Sequence, residues 1–294
     1  MAHIPVLLDE VLHYIDPKPG EFVIDGTVNG GGHAKEIISH VSPGGAFLGI
    51  DLDPDIIHRH ENLCENVESS CRLVIGNYVN AASIIEEEQL PKADGFLLDL
   101  GFSSEQIEAS GKGFSFLHDE PLRMTYDPKA EPVSKILSKL SSSQLARILK
   151  DFGGEHFANH IAKAISLRTK RKPITRTGEL ADIVRNAVPK GYEHGRIDPA
   201  TRTFQALRIY ANHELENIQK ILRDIPKILQ AGGRVAIISF HSLEDELVKN
   251  AFHEYARDGV LEILTKKPVL ATAKEVHSNP RSRSAKLRAA RLVS

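Results

Sequence analysis

Cysteine is scarce: Cys64 and Cys71 are the only two in 294 residues, and neither sits in a Cys-x-x-Cys pair. That argues against a disulfide scaffold and a structural zinc site, and it fits a reduced, cytoplasmic setting. Long apolar runs are missing as well. No stretch approaches the roughly 20 residues of a membrane span, and the opening Met-Ala-His-Ile-Pro-Val has no basic segment leading into an apolar block. Neither sign of charge dominates, with 37 Lys+Arg against 39 Asp+Glu, whereas a domain built only to hold a polyanion is expected to be basic throughout. What is present is a globular composition, 41% hydrophobic and 26% charged, in a chain long enough for two domains of roughly 100–200 residues. Basic residues do cluster, at Arg168-Thr-Lys-Arg-Lys172 and through Arg281, Arg283, Lys286 and Arg288. Each cluster reads equally as a solvated face or as a set of phosphate contacts.

The first hundred residues alternate short apolar runs with helical patterns. Phe22–Asp25, Ala46–Asp51, Cys71–Ile75 and Gly95–Asp99 read as strands, and 54–67 and 80–89 between them as surface helices. Pro54 directly after Asp53 is a helix-start signal. Strands alternating with helices imply a parallel, doubly wound α/β sheet. The next clear strand, Gly233–Ser239, lies far too distant from Asp99 for a single crossover. The interval shows helical spacing instead, over 141–150, 156–167 and 179–188, before one long helix over 208–230 that Pro226 kinks or ends. The chain therefore reads as a sheet domain split in sequence, 1–103 with 208–294, around a mainly helical insert at 104–207.

After the first strand comes Asp25-Gly-Thr-Val-Asn-Gly-Gly-Gly-His33. Glycines between a strand and a helix let a ligand approach the backbone closely. The spacing matches neither the dinucleotide fingerprint nor the phosphate loop. Asp51 ends the second strand, where doubly wound sheets place an acid on ribose hydroxyls, and Asp99 ends the fourth, beside the crevice where strand order reverses. Three carboxylates on one sheet edge favour a cationic, phosphate-free ligand. S-adenosylmethionine meets that description, and NAD, with two phosphates, does not.

Longer motifs run through the chain: His3-Ile-Pro-Val-Leu-Leu-Asp-Glu10, Asp51-Leu-Asp-Pro54, Asp94-Gly-Phe-Leu-Leu-Asp-Leu-Gly-Phe-Ser-Ser104, Pro199-Ala-Thr-Arg-Thr-Phe-Gln-Ala-Leu-Arg-Ile209, Ile238-Ser-Phe-His-Ser-Leu-Glu-Asp245 and Asn279-Pro-Arg-Ser-Arg-Ser-Ala-Lys-Leu-Arg288. In them the chain resembles the bacterial ribosomal RNA small-subunit methyltransferase H family. That resemblance implies a Rossmann-like class I methyltransferase sheet with a helical substrate-recognition insert, and S-adenosylmethionine-dependent methylation of a cytidine N4 in the decoding region of 16S ribosomal RNA. It implies assembled small (30S) subunits as the substrate form, a monomer or homodimer, and no metal or membrane. The family's cofactor contacts fall on Gly31, Gly32, His33, Asp51, Tyr78, Asp99 and Gln106, with Asp25 added by the reading of the sheet edge.

An exocyclic amine conjugated to its ring is a poor nucleophile, so catalysis needs a proton acceptor and in-line placement. Asp99 is the candidate acceptor or orienter, Phe102 a stacking surface for the base, and Ser103 and His241 further candidates, although His241 reads equally as a helix-start residue paired with Asp245. RNA affinity is expected from Arg281, Arg283, Lys286 and Arg288. Departures from the family pattern include Asn29 for a glycine, where Asn tolerates left-handed angles. Tyr78 stands for phenylalanine, Gly154 for glutamate, Asp198 for histidine and Glu246 for arginine, and Arg123 and Thr125 fall in an altered stretch. Two other readings stay open: a methyltransferase with a small-molecule or protein acceptor, and a non-catalytic RNA-binding assembly factor.

Overall fold

A computed structural model describes residues 4–65, 67–100, 111–192 and 197–293. The chain divides into two compact units, Met1–Ser103 with Leu215–Ser294, and Ser104–Glu214. Among the described residues no helix is long and apolar enough to cross a membrane.

The first unit is built on a sheet whose strands are β1 (Phe22–Asp25), β2 (Ala46–Asp51), β3 (Ser70–Ile75), β4 (Ala93–Asp99), β5 (Leu229–Ser239), β6 (Leu261–Ile263), β7 (Val269–Leu270) and β8 (Lys286–Leu292). Their order is β3-β2-β1-β4-β5-β8-β6, with β7 also paired to β8. β1 to β5 pair in parallel, while β8 runs antiparallel to both β5 and β6. Every residue of β1 is buried, as expected of a strand covered on both faces. Successive side chains point to opposite faces. Ile24, Leu48, Phe96 and Ile237 therefore pack with the helices Ala81–Glu87, Glu214–Ile228 and Ser242–Arg257. Val23, Phe47, Leu97 and Ile238 pack with Leu8–Ile15 and Gly32–Val41. Asp53 caps Pro54–Arg59 by accepting from Asp55 N, as its position before Pro54 predicts, but the helix ends early and a 3-10 turn, Glu61–Cys64, follows.

The second unit is helical. Val133–Lys139, Ser142–Gly153, Ala158–Arg171, Thr177–Ala187 and Ala200–Asn212 enclose their own core of Leu145, Leu149, Ile161, Ile165, Leu180 and Phe204. A Cβ at Gly153 would stand 2.6 Å from the Arg202 carbonyl, so this glycine permits the close approach of two helices. Gly154 ends Ser142–Gly153 at φ 60°, a left-handed cap that a glutamate would adopt only with strain.

Three expectations need correction. The helix expected over 208–230 is two, Ala200–Asn212 and Glu214–Ile228, because His213 adopts φ 53° and ends the first; Pro226 is tolerated inside the second. Cys64 and Cys71 are joined in a disulfide, with Cα atoms 5.1 Å apart, where reduced thiols were expected. The basic C-terminal segment, read as one solvated face or one set of phosphate contacts, is divided: a 3-10 turn, Pro280–Ser284, leads into β8, an interior strand that buries Arg288 while Arg283 and Arg291 stay exposed. The alternation of Leu287 and Ala289 with Lys286 and Arg288 was the available signal, broken by Ala290 and Arg291.

Candidate active site

Asp25, Asp51 and Asp99 end three adjacent parallel strands, β1, β2 and β4, so their carboxylates share one edge of the sheet. Strand order reverses between β1 and β4, the place where doubly wound sheets open a crevice. All three are buried, Asp25 completely.

Each acid has a distinct setting. Asp25 Oδ1 accepts from Thr27 N at 3.0 Å, while its Oδ2 is buried without a hydrogen-bond partner. Burial raises the Asp25 pKa well above the usual carboxylate value; the Thr27 amide opposes this, and the charges of Asp99 and Asp51 add to it. Asp51 is anchored at both oxygens, accepting from Asp53 N at 2.9 Å and from Asn29 N at 2.9 Å. Asp99 is placed through its backbone: its N–H donates to Thr27 Oγ1 at 2.6 Å and its carbonyl accepts from Asn29 Nδ2 at 3.0 Å.

Asn29 thus reaches both strand ends, from a backbone at φ 49° that asparagine tolerates better than most side chains. Thr27 and Asn29 are the site residues that the sequence reading missed as contacts. The signal lay within the Asp25-to-His33 motif, as polar side chains in a turn otherwise made of glycine.

His33, in the first turn of Gly32–Val41, is buried. Its Nε2 lies 2.9 Å from the Val6 carbonyl, which can only accept, so Nε2 carries the proton and Nδ1 is the acceptor. That Nδ1 sits 3.7 Å from Asp99 Oδ2. Burial, only partly opposed by the Val6 carbonyl, lowers the His33 pKa to about 4, so the ring is neutral at pH 7. Two acceptors therefore face one another, an arrangement suited to a cationic N–H donor and hostile to a phosphate.

The glycines have reasons of their own. Gly31 adopts φ 73° and a Cβ there would meet the His60 ring at 2.9 Å; at Gly32 it would meet Pro5 at 2.9 Å. These contacts are with protein, where the sequence reading expected approach to a ligand. Gly26, beneath the turn, leaves room taken by Leu98 and Tyr78. Tyr78 opens the 3-10 turn after β3 and is half-buried against the core.

Other candidates separate from this cluster. His241 is the N-cap of Ser242–Arg257: its Nδ1 accepts from Glu244 N at 3.4 Å and its Nε2 lies 3.0 Å from Glu244 Oε1, so its carboxylate neighbour is Glu244 rather than Asp245. Asp245 instead holds Arg288, at 2.6 Å and 3.2 Å, with Lys286 at 3.5 Å. Arg288 is buried in β8 and therefore cannot serve as the phosphate contact expected of it. Arg283 is exposed, and Arg281 and Lys286 are half-exposed. In the other cluster, Arg168 pairs with Glu179, while Lys170, Arg171 and Lys172 are exposed. Asp198 pairs with Arg185 at 2.8 Å and caps Ala200–Asn212 through Ala200 N, which accounts for an acid at that position. Phe102, Ser103 and Gln106 lie outside the described residues.

A parallel sheet with a reversed strand between its outer two, acids at the ends of β1, β2 and β4 and no phosphate loop define a Rossmann-like methyltransferase. The chain belongs to the MraW methylase family, whose model matches residues 1–293. It is 42% identical to the ribosomal RNA small subunit methyltransferase H of Geobacter sulfurreducens, covering 98% of each chain. With its counterparts from Geotalea uraniireducens and Clostridioides difficile the identity is 40% and 39%, covering 99% of this chain and 98% and 99% of theirs.

Proposed function

We propose that this protein is an S-adenosylmethionine-dependent methyltransferase that modifies the N4 amine of a cytidine in small-subunit ribosomal RNA, working in the cytoplasm on assembled subunits. The observation that carries this reading is the meeting of Asp25, His33, Asp51 and Asp99 at the β1/β4 crevice of a MraW-family chain.

The residues present fit the cofactor. Asp51, held at both oxygens by backbone N–H groups, is the acceptor for ribose hydroxyls. Tyr78 offers a half-buried ring beside the adenine. Asp99 and the neutral His33 Nδ1 would receive the methionine ammonium, and Asp25, whose buried Oδ2 has no hydrogen-bond partner, would complete the same wall. The bound cofactor supplies an electrophilic methyl group on a sulfonium.

The protein's own task is to make a conjugated amine nucleophilic. Asp99 would accept an amine proton, or orient the N–H so that the lone pair leaves the ring π-system, through the carboxylate oxygen that the cofactor's ammonium does not take. Thr27 Oγ1 and Asn29 Nδ2, on the Asp99 amide and carbonyl, fix the residue that carries that carboxylate. Phe102 and Ser103 join the base-binding side, as the resemblance implies, and Gln106 the cofactor side. His241 shapes the start of its helix as a positioning residue. The insert at 104–207 recognises substrate, and Arg281, Arg283 and Lys286 meet phosphates.

Mapping of modified nucleosides by mass spectrometry tests this, using small subunits incubated with the protein and isotopically labelled S-adenosylmethionine. One labelled N4-methylcytidine is expected. Label appearing only in protein or small molecules would favour the non-RNA acceptor, and no label with intact RNA binding would favour the assembly factor. Charge reversal at Arg283 should weaken RNA binding and lower its salt slope by about 1.

A further inference from the structure

The second unit holds a cavity of about 440 Å3 walled by His156, Phe157, Lys190, Tyr192 and Arg202. Its volume falls in the range of small-molecule pockets, roughly 300–1,000 Å3. It belongs wholly to the helical unit and shares no residue with the carboxylate cluster.

The aromatic walls are held from behind. Glu155, 2% exposed, accepts from Tyr192 Oη at 2.8 Å and from Phe157 N at 2.8 Å through the same oxygen, Oε1. The two rings meet edge to face, with centroids 5.0 Å apart and planes at 84°. This fixes the tyrosine ring, which is otherwise on a loop after Thr177–Ala187. Arg202 is also placed, donating to the Gly154 carbonyl at 3.0 Å. Among the described residues no acid lines the cavity, while the cations Lys190 and Arg202 and the imidazole of His156 do.

A fixed aromatic ring flanked by Lys190 and Arg202 matches one nucleotide of a single strand: the base against the ring, the phosphate on the cations. The pattern differs from the cofactor site, where acids gather. Exposed Lys190 and His156 suit a backbone that continues past the cavity rather than a small ligand enclosed by it.

We propose that this cavity binds one unpaired nucleotide of the RNA substrate, outside the nucleotide that is methylated. The inference rests on the RNA reading above and extends it to a defined place in the helical unit.

The test is direct binding by the full chain. Fluorescence anisotropy with a labelled single-stranded oligoribonucleotide is measured for the wild type, Tyr192→Ala and Lys190→Glu, alongside cofactor binding by calorimetry. Loss of stacking or of the phosphate contact should each weaken the strand roughly tenfold, with cofactor affinity unchanged. Lys190 is exposed, so Lys190→Glu keeps the readout valid if Tyr192→Ala fails to fold. A 4-thiouridine strand should cross-link to the peptide containing Tyr192. Wild-type strand affinity in Lys190→Glu would overturn the proposal, as would tighter binding of uridine monophosphate than of the strand. These readouts need no methyl transfer, so absence of RNA methylation by the wild type counts against the functional reading alone.

Discussion

Asp25, the last residue of β1, is fully buried and Asp245, in the helix after β5, is largely enclosed, yet their surroundings push the two acids in opposite directions. Around Asp25 the nearby charges are Asp99 and Asp51, and burial raises its pKa well above the normal value. At Asp245 burial acts in the same sense but is outweighed by the hydrogen bonds and charge of Arg288 and by Lys286, so its pKa falls. A buried acid answered by a guanidinium is a strut of the scaffold. A buried acid among other acids either keeps its proton, as the raised pKa of Asp25 favours, or needs a positive charge from elsewhere, and that separates the ligand site from the framework of one sheet.

The largest effect is expected at the strut. Arg288→Ala takes the main partner from a largely enclosed Asp245 and leaves only Lys286, which should cost up to about 3–5 kcal/mol, the range for breaking a buried pair. Thermal and denaturant unfolding should show a loss of that order, and a paired change, Arg288→Met with Asp245→Leu, should recover much of it. If Arg288→Ala instead melts like the wild type and loses RNA affinity, the arginine is a phosphate contact and the contrast with Asp25 disappears.

The contrast also has a pH signature, and its sign differs by group. His33 is held at about 4 in the fold against 6.5 when free. The unfolded chain therefore takes up the proton first, and stability is lost as pH falls from 6.5 towards 4, by on the order of 3 kcal/mol for so large a shift. Asp245 contributes stability above 3.8 that disappears as pH falls through its lowered value. Asp25 behaves oppositely: the folded state keeps its proton longer, so stability declines as pH rises above 3.8 through the raised value. Stability curves of His33→Gln and Asp25→Asn should each lose one limb, the acidic limb for His33 and the alkaline limb for Asp25. An alkaline limb that persists in Asp25→Asn would place the unmatched charge elsewhere.

Next in size is the disulfide. Closing a short loop between Cys64 and Cys71 stabilises by about 2–3 kcal/mol in the chain-entropy account. Cys64→Ser should lose that amount under oxidising conditions and match the wild type once reductant is added. The bridge ties the segment after Asp51 to the strand that leads to Tyr78. Its loss should therefore weaken cofactor binding and leave the Asp245–Arg288 end of the sheet unaltered.

How far the sequence disclosed all this depended on pattern length. Strands β1, β2 and β4 are apolar runs that end in aspartate, and both their type and the meeting of those acids were readable. β8 was hidden because Ala290 and Arg291 break its alternation, and a charge such as Arg288 that will be neutralised by a helix residue far along the chain looks identical to one awaiting a ligand. The break at His213 was invisible because helical periodicity continues across it on both sides, and left-handed backbone at a single histidine leaves no compositional trace. The cysteines misled because spacing rules describe scaffolds and metal sites, whereas one pair brought together by a 3-10 turn and a strand follows from tertiary geometry.

The smallest expected effect tests the site at its finest point. Asn29 stands in a turn otherwise rich in glycine, and its side chain donates to the Asp99 carbonyl while its backbone donates to Asp51. Asn29→Gly keeps the φ of 49° without strain and the bond to Asp51, and removes only the side-chain contact. A buried hydrogen bond of this kind is worth about 1 kcal/mol, so cofactor affinity should fall about fivefold, with unfolding little changed because the glycine relieves the left-handed strain. Asn29→Ala loses the same bond and also forces a Cβ into left-handed backbone, at about 1 kcal/mol more, so it should be less stable than the glycine variant while binding no better. Equal cofactor affinity in wild type and Asn29→Gly would mean that the end of β4 is held without this contact, by Thr27 Oγ1 on the Asp99 amide. The acid cluster would then be ordered by the side chain of Thr27 rather than by that of Asn29.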